Sequence, residues 1–139
     1  MSTAAKNGRR FEFRLDLVSG VPVYRQLIDQ VLGGIASGAL APGDQLPTVR
    51  QVAVDLSINP NTVVRAYREL EIRGALDTQQ GMGTFVSQQK VKRDEVDRQR
   101  QLAQLVSDFV ARAGAAGFTI RDLMEQLHDR QNESQPKRR

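Results

Sequence analysis

The stretch Asn59–Gly74, NPNTVVRAYRELEIRG, limits the fold more than any other part of this chain, because both of its ends are marked. The Asn59 side chain can accept a backbone N–H as N-cap. Pro60 then takes the first helical position, where a missing N–H costs nothing. Gly74 follows the last charged turn and suits a helix stop. At about 3.6 residues per turn, Val63, Ala66, Tyr67 and Leu70 share one arc, which predicts a packing face. Asn61, Val64, Arg65 and Arg68 share the opposite arc. That arc has two readings: a solvated helix surface, or a reader of base edges. Asparagine can pair with adenine, arginine with guanine, and an apolar tip can touch a thymine methyl.

The flanking segments bear on the choice. Ser37–Pro47, SGALAPGDQLP, is turn chemistry throughout. Thr48 to Gln51 fits a capping box that opens a short helix, with Val49, Val52, Ala53 and Leu56 facing inward. Ser57-Ile58 separates it from the helix at Asn59. Two short helices joined by such a turn, about residues 49–68, form a helix-turn-helix. Beyond Gly74, Ala75–Gln79 and the β-branched and aromatic run Thr84-Phe85-Val86 flank Gln80-Gly81-Met82-Gly83, which predicts a hairpin over about 75–87. The expected fold class is mainly α with a small β-hairpin wing (α+β), a winged helix-turn-helix over residues 19–88. The wing glycines have two readings. They serve the turn alone, or they let the tip enter a minor groove or meet a phosphate through backbone N–H groups.

Upstream, Met1–Arg10 is small, polar and basic, which predicts a mobile end. Phe11, Phe13, Leu15 and Leu17 alternate with Glu12, Arg14 and Asp16. That period predicts a short half-buried strand or extended arm, the N-terminal arm being residues 1–18. Pro22 can open a helix whose stripe is Val23, Leu27, Val31 and Ile35, with Tyr24 and Ile28 beside it. Gly33-Gly34 inside it costs about 1 kcal/mol per glycine relative to alanine. Either a neighbour packs closely there, or the cost is simply tolerated.

Downstream, Ser87–Lys92 reads as a linker and residues 89–130 as a helical dimerisation region. Arg93–Ala113 predicts one long helix, with Asp94 and Arg98 an i,i+4 pair. Leu102, Leu105, Val106, Phe109, Val110 and Ala113 form its apolar stripe. Gly114 and Gly117 mark a break, and Thr119 can cap a last helix with Asp122 in its first turn. Ile120, Leu123, Met124 and Leu127 are that helix's apolar side. Residues 131–139 are polar and basic, with the composition of a disordered tail. Two such stripes need a partner surface: a second copy across a two-fold axis, or the winged helix of the same chain.

Composition removes other classes. The net charge of +4 is mildly basic, which suits a nucleic-acid binder but is shared by many unrelated proteins. There is no cysteine and one histidine, His128, too few ligands for a zinc site and no basis for a catalytic triad. Gly81-Met82-Gly83 lacks the lysine of a phosphate loop. No enzyme, metal or cofactor is expected. Met1–Arg10 carries no apolar leader, and no run approaches the ~20 apolar residues of a membrane span, so a soluble cytoplasmic chain is expected.

From Pro22 to Val86 the residues closely resemble the DNA-binding domain of GntR-family bacterial transcription regulators. The matching pieces are Pro22-Val23-Tyr24 with Gln26, Ile35 to Leu40, Pro42 to Thr48, Arg50, Ala53 and Leu56. They continue with Asn61-Thr62-Val63, Ala66 to Glu71, Gly74, and Gly81 to Val86. The Asn59 to Val63 variant and the short C-terminal part are similar to the YtrA-type subgroup. The resemblance implies a sequence-specific DNA-binding regulator, a repressor, acting as a homodimer on double-stranded DNA. Half-sites about 34 Å apart, or a related distance, would make the operator an inverted repeat.

The DNA-binding residues expected are Thr48, Arg50, Asn59, Asn61, Thr62, Arg65 and Arg68, with Gln80, Gly81 and Met82 in the wing; of the family's usual contacts only Arg50, Gln80 and Gly81 carry over. The two arginines common at the front of the family's recognition helix fall on Pro60 and Val64, and Arg65 stands one position later. Only about fifty residues follow the wing, too few for a sizeable effector pocket within one subunit, and no effector is named by the residues. The competing reading is a winged-helix protein-interaction module without DNA binding. Arg50, Arg65 and Arg68 on the two presumed DNA-facing helices argue against it.

Overall fold

The computed structural model describes residues 11–88 and 94–133, which fall into two units. The expectations for Met1–Arg10, for most of the linker and for the end of the tail lie outside the described residues. The first unit contains α1 (Val23–Ser37), α2 (Val49–Leu56), α3 (Pro60–Ile72), β1 (Leu76–Gln79) and β2 (Gly83–Val86). The second contains α4 (Glu95–Ala115) and α5 (Ile120–Glu133). This is a winged helix followed by a helical C-terminal part.

In the first unit every helix contributes to one core. Leu27, Ile28 and Val31 of α1 meet Val52 and Ala53 of α2, and Val63, Ala66, Tyr67 and Leu70 of α3. Leu76 and Val86 close it from the hairpin, and Leu40, Leu46 and Phe13 from the connecting segments. The arc assigned to α3 packing is the arc that is buried.

The arm before α1 is extended but joins no strand. Its backbone is held by two side-chain amides of α1 instead. Gln30 accepts from the Arg14 N–H at 2.9 Å and donates to the Arg14 carbonyl at 2.6 Å. Gln26 does the same for Asp16, at 2.8 and 2.9 Å. The match is geometric: residues four apart on a helix rise about 6 Å, and residues two apart on an extended chain about 6.6 Å. The alternation therefore has its expected effect without a sheet as far as Leu15, burying Phe13 and half-burying Phe11 and Leu15. Leu17, expected on the same face, is exposed, because the chain bends there before α1. The Phe11 and Phe13 rings meet edge to face, 5.0 Å between centroids.

That arm explains one of the paired glycines. A Cβ on Gly34 would lie 2.9 Å from Phe11 Cε1 and 3.1 Å from Leu40 Cδ1, so the helix must be bare there. Gly33 faces open space and is simply tolerated.

Around the helix-turn-helix, Thr48 caps α2 by accepting from the Gln51 N–H at 3.1 Å. The Gln51 side chain does not complete the box; it donates to Asp55 at 2.8 Å, one turn on. Ser57 ends α2 in the left-handed region (φ 55°), unusual for a side chain with a Cβ. Asn59 caps α3 through the Asn61 N–H at 2.8 Å, with Pro60 first in the helix. At the far end Gly74 is left-handed; its N–H donates to Glu71 and that of Ala75 to Leu70, a Schellman closure.

The wing pairs Leu76 with Val86 and Gln79 with Gly83, antiparallel. The segment before α2 adds rungs: the Leu46 N–H donates to Thr84 and the Val86 N–H to Asp44, both at 2.8 Å.

In the second unit, Asp94 is the N-cap of α4, accepting from the Val96 N–H at 3.3 Å. It does not pair with Arg98, which instead stands 4.0 Å from Glu95. The cap uses the carboxylate for an otherwise unpaired backbone donor. The helix passes through Gly114 to Ala115, and the break falls at Gly117, where φ is 90°. Thr119 and Asp122 form a reciprocal cap, each accepting from the other's backbone N–H at 3.2 and 2.8 Å. These Thr119 contacts lower the Asp122 carboxyl pKa below its ordinary value. The last helix runs on to Glu133, beyond Gln131 where a disordered tail was expected.

Candidate nucleic-acid interface

The site is built on α3, whose orientation is fixed at three places. Its buried arc seals it to the core. The Tyr67 hydroxyl donates to the Pro47 carbonyl at 2.6 Å, tying α3 to the residue before the α2 cap. Burial pushes the Tyr67 hydroxyl far above the usual phenol pKa, so it remains a neutral donor. At the other end Thr78 of β1 donates to the Glu71 carboxylate and stands 3.3 Å from Thr84, which couples the wing to the end of α3.

With the inner arc sealed, Asn61, Val64, Arg65 and Arg68 line one groove on the outside, together with Glu69 and Ile72. Asn61, Arg65 and Arg68 are exposed, and Val64 is half-buried. Among the described residues no carboxylate lies within ion-pair distance of Arg50, Arg65 or Arg68. Arg73 differs, being held 3.3 Å from Glu69. The groove is therefore positively charged and its donors are uncommitted. Arg65 has one fixed neighbour: its guanidinium lies over the Tyr24 ring, 3.7 Å from the centroid.

The other sequence candidates are spread around this groove. Thr48 and Arg50 are exposed at the start of α2. The oxygens of Thr48 and Asn59 are engaged in capping, which leaves the hydroxyl proton and the amide NH2 free to donate. Thr62 is half-buried. Gln80, Gly81 and Met82 form the exposed wing tip, steadied by a 3.2 Å hydrogen bond from the Gln45 amide to the Met82 carbonyl. Gly81 has a positive φ of 79°, which the turn requires, and open space beside it. Gly83 (φ 128°) has a backbone that strains any side chain, and a Cβ there, 2.6 Å from the Gln45 amide nitrogen, would also make that amide move.

Sequence reasoning missed Tyr24, Gln45, Glu69, Glu71 and Thr78 as parts of this surface. Of these only Thr78 stood outside the matched motifs, and nothing in the motifs shows what the others touch.

Residues 23–86 match the family model for bacterial regulatory proteins of the gntR family. The HTH-type transcriptional regulator Rv1152 of Mycobacterium tuberculosis is 41% identical over 114 residues, covering 82% of this chain and 89% of the relative. This chain belongs to the gntR family. The HTH-type transcriptional repressor YtrA of Bacillus subtilis is 32% identical over 116 residues, covering 84% and 89% of the two chains. Among solved structures, a GntR family transcriptional regulator from Listeria monocytogenes superposes with a TM-score of 0.56 at 28% identity, covering 83% and 98%. YtrA from Sulfolobus acidocaldarius, a GntR-family transcription factor, gives 0.53 at 32%, covering 71% and 97%. The gntR chain described here is thus a transcriptional regulator with a DNA-binding domain, and its role is not enzymatic. No described helix is long and apolar enough to cross a membrane.

Proposed function

We propose that this gntR regulator is a repressor that binds an inverted-repeat operator as a homodimer. The observation that carries the DNA-reading part is the outer arc of α3, where Asn61, Arg65 and Arg68 stand exposed along one groove with no carboxylate among the described residues paired to the arginines. In this reading α3 enters the major groove. Arg50 and the Thr48 hydroxyl meet the sugar-phosphate backbone, and Thr62 lies at the groove edge. The Asn59 amide and the wing tip, Gln80 to Met82, approach flanking phosphates.

The dimer rests on α4 and α5. Leu102 is 53%, Phe109 47% and Met124 65% exposed, and Ala113 is the one buried residue of the second unit among the described residues. Leu105, Val106, Ile120 and Leu127 are exposed as well, with Val110 and Leu123 half-buried. Helices with such stripes bury them against a second copy, and a two-fold axis places two α3 helices on successive major grooves. Repression is supported by the repressor named among the relatives. A chain that reads operators works beside the chromosome, in the cytoplasm.

The test is a mobility-shift titration against the DNA upstream of its own coding sequence, with sedimentation run alongside. Binding that weakens as salt rises, by a chain sedimenting as a dimer at micromolar concentration, is expected. A monomer at that concentration would sink the dimer. Unchanged binding by Arg50→Ala and Arg68→Ala variants would sink the docking.

A further inference from the structure

We infer that Tyr24, on the first helix and outside the helix-turn-helix, is a positioning residue for DNA recognition, acting through Arg65. The inference rests on the DNA-reading assignment above. Its observation is the stack of the Arg65 guanidinium on the Tyr24 ring, at 3.7 Å.

Arginine side chains on this molecule are restrained in two ways. Arg73 is tied to the Glu69 carboxylate and Arg25 stands 3.9 Å from Asp29. A carboxylate holds a guanidinium by its N–H edge, so it neutralises the charge and uses the donors that a base or phosphate would need. An aromatic ring holds it by its face. The charge stays, and the N–H fork in the plane remains open. Arg65 has the second kind of restraint only, among the described residues. Its long side chain otherwise carries about 2 kcal/mol of rotamer entropy, part of which would be lost on docking. Tyr24 removes some of that loss in advance.

The geometry also says why the ring comes from α1. Tyr24 lies in the first turn of α1, and Arg65 lies in the first half of α3. The two helices share one core through Leu27, Ile28, Val63 and Leu70, so their separation is fixed. A rigid platform outside the helix-turn-helix thereby sets the direction of a side chain inside it. Tyr24 itself is half-buried at the start of a helix that is packed into the core.

The experiment is a double-mutant cycle on the full chain. Operator affinity is measured by fluorescence anisotropy for the wild type, Tyr24→Leu, Tyr24→Phe, Arg65→Ala and the Tyr24→Leu/Arg65→Ala pair. An exposed cation–π contact sets the scale, so Tyr24→Leu weakens binding about two- to fivefold. Tyr24→Phe keeps the ring and restores near wild-type affinity. In the Arg65→Ala background, Tyr24→Leu has no further effect. Equal losses in both backgrounds, no loss from Tyr24→Leu, or a full loss from Tyr24→Phe would each overturn the inference. Thermal melts of all five proteins separate a folding defect from a binding one, since a structural role alone predicts no coupling to Arg65. Wild-type protein that fails to bind DNA would overturn the DNA-reading assignment as well. Wild-type binding with additive losses overturns the role of Tyr24 alone.

Discussion

The two units of this chain treat their apolar residues in opposite ways. In the winged helix, Leu27, Val31, Val63 and Leu70 have no exposed surface, and the helices and the hairpin all face one core. In the C-terminal unit an equally regular stripe on α4 and α5 stays open. The same periodicity thus had two outcomes. A stripe on a helix says that something will cover it, and whether the chain supplies the cover depends on how many elements converge. The winged helix has three helices and a hairpin around its centre. The C-terminal unit has two helices, which leave each other's apolar sides largely uncovered.

The largest expected effect tests that contrast directly. Leu70→Ala should cost about 2–5 kcal/mol in urea denaturation at every protein concentration, because its core belongs to one chain. Phe109→Ala should instead change stability in a concentration-dependent way, by weakening association. Equal behaviour of the two variants would remove the distinction.

Next in size comes a contrast within the winged helix. Arg68→Ala, which removes an unpaired groove arginine, should cost about 1–3 kcal/mol of operator affinity by anisotropy. Arg73→Ala, whose partner is Glu69 at 3.3 Å, should cost much less. Smaller still is the α2 cap: Thr48→Ala should lower thermal stability by about 1 kcal/mol.

The connecting turn should respond in the other direction. Ser57→Gly relieves a left-handed φ of 55° and should raise stability by up to about 1 kcal/mol, read as a higher melting temperature. The smallest effect lies in the C-terminal unit. The Asp122 carboxyl is lowered from an ordinary 3.8 by Thr119, so its support of α5 is present above that value. It is lost as pH falls through the lower folded-state pKa. A loss of ellipticity in that acid window, absent in Asp122→Asn, is the expected readout.

Much of the fold was legible because local chemistry repeats itself along the chain. Asn59, Pro60 and Gly74 bounded α3 correctly, since capping needs only neighbours in sequence. The left-handed Gly74 and the Schellman bonds follow from the same local rule. The expectations that failed involved competition between local partners. Asp94 was free to pair with Arg98 or to cap α4, and the unpaired helix N–H took it. Gln51 was free to return to Thr48 or to reach Asp55, and it went down the helix. Gly114 could break the helix, yet Gly117 supplies the positive φ that a break requires.

For the surface that faces outward, the sequence by itself determined which residues share the outer arc of α3, because helical periodicity depends on spacing alone. It also determined that Gly81 and Gly83 flank a reversal. Tertiary structure decided the rest. It decided that the N-terminal arm lies on α1 through Gln26 and Gln30 instead of joining a sheet, and hence why Gly34 lacks room for a side chain while Gly33 does not. It decided that the Tyr67 hydroxyl reaches Pro47, that Thr78 holds Glu71, and that Arg65 rests on Tyr24. Each of these joins residues far apart in the chain. Such pairings are set by how the elements close on a common core, and no spacing rule along the sequence encodes that closure.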